Sequence, residues 1–362
     1  MMTTARELAI QRLHSQQILN PALKEPGEVV EALGALQAQD FTGVLWSVGL
    51  RMPGGTATAI QQAINDRKII RTWLLRGTLH LVAPGDVRWI LNLVSPRIKA
   101  GSAGRHRQLG LTGEDFSRSR ELVSEELQGG RQLTREELFK SLGKAGISTE
   151  GQRGYHLLAM AGLEGLLCFG SRRGRQQTFV LLDEWVPEAG RSFGPGEALA
   201  RLAERYFTGH GPATLQDFTW WSGLTVSDAR AGIKAAGPLL SRVSYGEREY
   251  FTGEAPPHDP GGEPGAYLLP GFDEYILGYR DRSVILDPAL ADKTVIGANG
   301  MMLPTIVVDG SVVGTWKRTI GRNAVNIAMK PFVPLNAAHR RQVRAAAEQY
   351  GTFMRSPVTI EW

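Results

Sequence analysis

Two glutamines near the N-terminus, Gln37 and Gln39, combine a residue type and a spacing that could do chemistry. Residues two apart lie on one face only where the backbone is extended, because on a helix they diverge by about 200°. Each carboxamide has a carbonyl acceptor and an NH2 donor, so two on one face could hold a water or polar ligand without adding charge. Alternatively, both side chains are solvated or bond only to nearby backbone, as polar side chains mostly do.

Composition places this pair in a soluble globular protein with a basic surface. The 362 residues suffice for two or three domains, and 42% of them are hydrophobic and 21% charged. The formal net charge is +5, carried mostly by arginine. Because arginine pairs with phosphates and stacks on bases, this balance favours a nucleic-acid partner.

Several classes of site are not expected. Cys168, the only cysteine, lies in an apolar run and is predicted to be a core residue. The seven histidines are scattered without metal-ligand spacing, and neither GxxxxGK[ST] nor a strand-linked GxGxxG occurs. We therefore predict no metal, ATP or NAD. With no signal-peptide core and no run of about 18 apolar residues, we expect a cytoplasmic, nucleoid-associated protein that does not span a membrane.

The elements around the glutamines follow a winged-helix pattern. Helices are predicted over 4–20, from Pro26 to the glutamines, and over 58–67. The β-rich stretch 68–82 then predicts a hairpin around Arg76 and Gly77. We assign residues 1–110 to this first unit.

Two further copies of the pattern are predicted. In the second unit, 111–188, three helices precede a hairpin whose turn is rich in arginine. In the third unit, 189–253, capping sequences at Thr214 and Thr225 open helices ahead of two short strands. Three units in one chain indicate a monomer.

The C-terminal part, 254–362, is predicted to be β-rich. A proline- and glycine-rich linker, 254–265, precedes strands over 266–269, 283–286, 305–308, 312–316 and 326–330 and a last helix over 337–350. Asp309 and Gly310 predict a type I′ turn in the hairpin 305–318. The fold class is therefore α+β, tandem winged-helix units with a β-rich C-terminal part.

Residues outside the glutamine pair are candidate DNA contacts. The candidates are Arg71, Trp73, Arg76 and His80 in the first hairpin, Arg172, Arg173 and Arg175 in the second, and Asp309, Gly310, Lys317, Arg318 and Arg322 near the C-terminal hairpin. Arginines and lysines would contact phosphates, whereas Trp73 and His80 could stack on a base or sugar. Alternatively, Trp73 is core, His80 is structural and the C-terminal turn is simply solvated. The charged and aromatic segment 273–282 could line the pocket beside the glutamines, or Asp273 and Arg282 could pair structurally.

Four stretches together resemble one known family. They are Leu36-Gln-Ala-Gln-Asp40, Arg71-Thr-Trp-Leu-Leu-Arg-Gly-Thr-Leu-His80, Gly271-Phe-Asp-Glu-Tyr-Ile-Leu-Gly-Tyr-Arg-Asp-Arg282 and Val308-Asp-Gly-Ser-Val-Val-Gly-Thr-Trp316. The chain resembles the AlkZ-type winged-helix DNA glycosylases, whose relatives include the YcaQ proteins. The resemblance implies a C-shaped array of winged-helix units around duplex DNA and catalysis by the Gln-x-Gln element. In the YcaQ branch the second position is acidic, so Gln39 places the chain with the AlkZ branch.

The activity that this resemblance implies is excision of N7-alkylated guanine, including bulky adducts and interstrand crosslinks. With no lysine close to Gln37 and Gln39 in the sequence, we expect a monofunctional DNA glycosylase without AP lyase activity. Its partner would be double-stranded DNA carrying alkylated bases. Two alternatives stay open, a non-enzymatic winged-helix DNA-binding regulator and an inactive relative that shields lesions.

Overall fold

The computed structural model describes residues 4–187, 192–253, 264–296 and 301–362. The chain divides into two compact units, unit 1 (1–62 with 199–362) and unit 2 (63–198). This division differs from the four predicted parts, whose boundaries remain a prediction. Most of the predicted linker lies outside the described residues. In the described part of the chain, no helix is long and apolar enough to cross a membrane.

Unit 1 contains all or most of nine of the helices in the described residues, since α4 and α10 cross its bounds by a few residues. They are α1 (Ala5–Ser15), α2 (Pro26–Leu33), α3 (Phe41–Leu50), α4 (Ala57–Asn65), α10 (Pro195–His210), α11 (Leu215–Ser222), α12 (Val226–Ala236), α13 (Glu274–Leu277) and α14 (Ala337–Met354). Its strands are β1 (Leu36–Gln37), β7 (Ser241–Tyr245), β8 (Arg248–Thr252), β9 (Ala266–Leu269), β10 (Val295–Ile296), β11 (Met301–Met302), β12 (Thr305–Val308), β13 (Ser311–Ile320), β14 (Val325–Pro331) and β15 (Val358–Glu361).

The main sheet of unit 1 has the strand order β15-β14-β13-β12-β9. Its pairs are antiparallel except β14 with β15, which run parallel. The predicted type I′ turn is confirmed, since Asp309 and Gly310 have φ of 50° and 83°. Helix α14 packs on this sheet, and Tyr350 contacts both Trp46 of α3 and Trp316 of β13. This aromatic core anchors the helix that follows the glutamines.

Unit 2 contains five helices among the residues described. They are α5 (Val87–Gln108), α6 (Gly113–Leu127), α7 (Arg135–Lys144), α8 (Arg153–Leu163) and α9 (Leu182–Trp185). Its strands β2 (Ile70–Trp73), β3 (Leu79–Val82), β4 (Leu133–Thr134), β5 (Leu167–Phe169) and β6 (Thr178–Leu181) follow the order β3-β2-β5-β6-β4. Arg71 pairs with Phe169, so the hairpins assigned to the first and second predicted units share one sheet.

Two segments show the predicted order of three helices and a hairpin. Segment A, 113–181, has α6, α7 and α8 followed by β5 and β6. Segment B, 195–252, has α10, α11 and α12 followed by β7 and β8. Their tandem use as winged helices remains a prediction.

Other expectations differ from the structure. The predicted strand 283–286 is wrong, because these residues form a turn in which the Ile285 N–H donates to the Arg282 carbonyl. Helices α3 and α5 were not predicted. Two glycines weaken the helix signal of α3, and Pro96 and two glycines interrupt that of α5. Burial of the apolar faces outweighs these local costs. Cys168 is fully buried as predicted, and burial raises the pKa of its thiol.

Candidate active site

The glutamine pair lies on an extended segment between two helices of unit 1. Helix α2 ends at Leu33, β1 covers Gln37, and α3 begins directly after Asp40. Ala38 is fully buried, whereas Gln37 is partly buried and Gln39 exposed. This alternation is typical of extended chain. The strand covers only Leu36 and Gln37, and Gln39 lies in a bend, so a shared face for the two carboxamides stays a prediction.

A buried carboxylate holds this strand by its backbone. Glu274 is 2% exposed, and its Oε1 accepts the Gln37 N–H at 2.9 Å. Its Oε2 accepts Trp221 Nε1–H at 3.0 Å and lies 3.3 Å from His210 Nε2. Several donors around one carboxylate offset the cost of burying it. Glu274 thus joins β1 to α10 and α11.

Glycine at position 278 keeps this cluster compact. A Cβ at Gly278 would lie 2.6 Å from the Glu274 carbonyl oxygen and 2.7 Å from His210 Cδ2. Both distances are shorter than van der Waals contact, so a side chain there would push His210 away from Glu274. The last turn of the Glu274 helix can therefore approach α10 closely only with glycine.

The neighbouring acid, Asp273, anchors α3. Its carboxylate accepts two bonds from the Arg51 guanidinium at 2.8 Å and one from Ser47 Oγ at 2.7 Å. Gln16 Oε1 accepts a further Arg51 bond at 2.8 Å. The predicted pairing of Asp273 with Arg282 is wrong, because Arg51 occupies the carboxylate and Arg282 Nε instead donates to the Ile276 carbonyl.

Two buried tyrosines of segment 271–282 also bond to other parts of unit 1. The Tyr275 hydroxyl donates to the Gly310 and Ala9 carbonyls at 2.8 and 3.2 Å, and the Tyr279 hydroxyl donates to the His210 carbonyl at 2.7 Å. Both tyrosines are fully buried, which raises the pKa of each hydroxyl. The segment therefore contributes two neutral hydroxyl donors and two buried carboxylates to the core of unit 1. These contacts fit the structural interpretation of the segment best.

Asp40 follows the glutamines and pairs with one of the predicted DNA contacts. Arg318 Nη2 donates to Asp40 Oδ2 at 2.7 Å, and the two side chains are 14% and 38% exposed. The pair joins β13 to the residue that directly follows Gln39 in the sequence. Arg318 therefore has a structural partner, and its contact with phosphate stays a prediction.

The first hairpin buries most of its candidate residues. Arg71, Trp73 and His80 are each at most 2% exposed, whereas Arg76 is partly exposed in the turn. The Arg71 guanidinium lies 4.6 Å from the Phe169 ring centroid, and burial, with Arg172 adding repulsion, lowers its pKa to about 10. These positions indicate a structural role for Trp73, as the alternative proposed.

The remaining candidates lie on turns and an edge of the fold. Arg173 pairs with Glu137 at 2.8 Å, Arg172 donates to the Arg175 carbonyl, and Arg175 is exposed. Lys317 and Arg322 are exposed, whereas the turn at Gly310 packs against Ala9 of α1. The turn tip is thus partly covered, and DNA contact by these residues stays a prediction.

In the described ranges, no three His, Cys, Asp or Glu side chains cluster as a metal site would require.

Sequence reasoning missed the residues that position the glutamines. Arg51, His210 and Trp221 carry no motif, and Glu274 lies in the segment 273–282 without having been singled out. The available signal was a Glu inside an apolar run, Glu274 to Leu277, where a charge requires a buried partner.

Comparison with known proteins agrees with this architecture. Residues 30–353 match the family model described as DNA glycosylase AlkZ-like. The interstrand DNA cross-link repair glycosylase of Streptomyces sahachiroi is 29% identical over 315 residues, which are 83% of this chain and 85% of that protein. The solved structure of the S. sahachiroi DNA glycosylase AlkZ superposes with a TM-score of 0.80 at 27% identity, covering 99% of this chain and 100% of the other.

Proposed function

Because the chain belongs to the family of AlkZ-like DNA glycosylases, we propose that it hydrolyses the N-glycosidic bond of N7-alkylated guanine in duplex DNA. The proposal includes bulky adducts and interstrand crosslinks, in line with the name of the S. sahachiroi relative. The enzyme would act as a monofunctional glycosylase and as a monomer associated with the nucleoid. Gln37 and Gln39 are its proposed catalytic residues.

The chemistry of the lesion supports a pair of neutral side chains. Glycosidases usually need a carboxylic acid to protonate the leaving group and a carboxylate to stabilise an oxocarbenium-like sugar. An N7-alkylated guanine already carries a positive charge and departs as a neutral base, so no strong acid is needed. What remains is to hold water near C1′, which two carboxamide oxygens on one face can do.

The observation that carries this proposal is the backbone anchor of Gln37. Glu274 holds the strand through the Gln37 backbone N–H at 2.9 Å, which supports a fixed position for this residue in the site. Positioning of this kind contributes several kcal/mol to catalysis when the bound water is aligned with the reacting carbon.

The test is release of 7-methylguanine from a defined duplex under single-turnover conditions. We expect Gln37→Ala and Gln39→Ala each to lower the excision rate by at least ~10²-fold while DNA affinity changes only a few-fold, since both act in the transition state. Gln349→Ala, an exposed glutamine on α14, is the matched control.

Two outcomes would count against the proposal. Equal loss of affinity and rate would make the glutamines docking residues. No release by the unmodified protein, from this duplex or from one with a bulky N7 adduct, would favour the DNA-binding regulator, which a footprint on one palindrome in undamaged DNA would support.

A further inference from the structure

An open cavity lies within unit 2, and none of its lining residues belongs to the glutamine site. Its volume is about 480 Å³, and it is bounded by the start of α7, by α8 and by the turn between β5 and β6. Trp73, Phe169 and Phe179 form a buried aromatic floor. Tyr155 forms a wall and is 40% exposed, so the face of its ring is open to a ligand.

The exposed ring is held in a fixed orientation. Trp73 Nε1–H donates to the Tyr155 hydroxyl at 3.3 Å, and the two rings lie 6.1 Å apart at 68°. On its other side, the Trp73 ring is nearly parallel to the Phe179 ring, with 6.2 Å between the ring centroids. A planar ligand would therefore meet an aromatic face that loses little conformational freedom on binding.

The rim of the cavity is basic. Arg135 and Arg175 line it and are exposed, and Glu136 is the one acid among the lining residues. Within the described ranges, neither guanidinium is found in an ion pair, although nearby Arg173 pairs with Glu137. Guanidinium groups beside an aromatic face complement a ligand that is both planar and anionic.

We propose that this cavity binds a single DNA nucleotide whose base has left the helical stack. The base stacks on Tyr155 over the Trp73 floor, and its phosphate contacts Arg175 and Arg135. The inference rests on the proposed function only in taking DNA as the ligand, and it requires no cleavage of a glycosidic bond.

Segment B contains a cavity at the equivalent position but without the aromatic floor and the exposed ring. It has a volume of about 760 Å³ and lies between the start of α11 and the β7–β8 hairpin. Its wing arginine, Arg248, pairs with Asp281, and Phe251, the one aromatic residue in its lining, is 8% exposed. Arg248 therefore provides a matched control in the same chain.

The experiment uses a duplex with 2-aminopurine opposite an abasic site, and it follows fluorescence quenching as the full-length protein is added. We expect quenching by the unmodified protein, and Tyr155→Ala to raise the half-saturating concentration at least about fivefold, as loss of base stacking does elsewhere. Tyr155→Phe should stay within about twofold, because it keeps the stacking face. Arg175→Ala should weaken binding, whereas Arg248→Ala should not.

Three results would overturn the inference. They are absence of quenching, equal quenching by Tyr155→Ala, and equal losses in Arg175→Ala and Arg248→Ala, which would indicate diffuse electrostatics. Because 2-aminopurine here is undamaged, failure of this test leaves the glycosylase proposal standing. Failure to release 7-methylguanine would likewise leave the nucleotide site standing.

Discussion

Segments A and B begin their second helices with the same capping motif, but the capping acid is exposed in segment A and buried in segment B. Each opens its second helix with a Thr-x-x-acid capping box, Thr134 with Glu137 and Thr214 with Asp217. Glu137 faces the hairpin turn and pairs with Arg173, whereas Asp217 is 1% exposed. The same arrangement of helices and hairpin therefore exposes its capping acid to solvent in segment A and buries it in segment B.

The buried cap of segment B joins distant parts of unit 1. Asp217 Oδ1 accepts the Arg280 N–H at 2.9 Å and the Asp281 N–H at 3.3 Å, and Arg12 Nη2 lies 3.8 Å from Oδ2. Trp221 and His210 of the same segment reach Glu274. Segment B is thus a scaffold for the glutamine strand, while segment A has Tyr155, Arg135 and Arg175 exposed at a cavity.

The strongest test of this contrast compares the two capping acids. Asp217→Ala should lower the free energy of unfolding by roughly 3 to 5 kcal/mol, because it leaves Arg12 buried without its partner carboxylate. Glu137→Ala should change stability far less, since that carboxylate is exposed. Chemical denaturation of both variants measures the difference. Equal losses would mean that the two segments play the same structural role.

The second test asks whether segment B supports catalysis through Glu274. Glu274→Gln should lower the single-turnover excision rate roughly 10- to 100-fold with DNA affinity nearly unchanged, because a small displacement of Gln37 misaligns the water. Gln at 274 keeps the volume but replaces one oxygen by an NH2 that cannot accept a hydrogen bond. Glu274→Asp partly restores the acceptors and should recover part of the rate. A parallel fall in affinity and rate would assign Glu274 to folding alone.

The smallest expected effect concerns acid sensitivity in unit 2. His156 of segment A packs edge-on against His106 of α5 at 5.2 Å. Burial lowers the pKa of both below 6.5, and His106 and Arg105 lower that of His156 further. A base with a lowered pKa binds fewer protons when folded than when unfolded, so stability is full above pH 6.5 and declines as pH falls below it.

Thermal unfolding between pH 7.5 and 5 measures this decline. The His106→Gln, His156→Gln double variant should show a flatter dependence of Tm on pH than the unmodified protein. Parallel curves would locate the acid sensitivity elsewhere.

Local signals in the sequence predicted much of the fold. Capping residues, glycine pairs and the Asp309-Gly310 turn lie next to the elements they start or end, so the helices and hairpins of segments A and B were found. Helix α3 was missed because its stability comes from contacts of Trp46, Ser47 and Arg51 with residues more than 200 positions away. Parallel pairing of β15 with β14 is similarly non-local.

The candidate site shows the same limit. The spacing of Gln37 and Gln39 predicts a shared face on extended backbone, and the structure has a strand at Gln37 and a bend at Gln39. Neither the partner of Asp273 nor the role of Glu274 could be deduced, because a buried ion pair is chosen by three-dimensional proximity rather than by spacing. Trp73 and Arg71 likewise look like ligand-binding residues in the sequence. In the structure both are buried, and the Arg71 guanidinium packs over the Phe169 ring.

The anchoring of Gln37 by its backbone N–H has a consequence for how this site can change. Any residue except proline supplies that N–H, so the strand keeps its attachment to Glu274 whatever side chain position 37 carries. Under the proposed function, an exchange of the side chain at position 37 would therefore change the chemistry of the site while the hydrogen bond that holds the strand is kept.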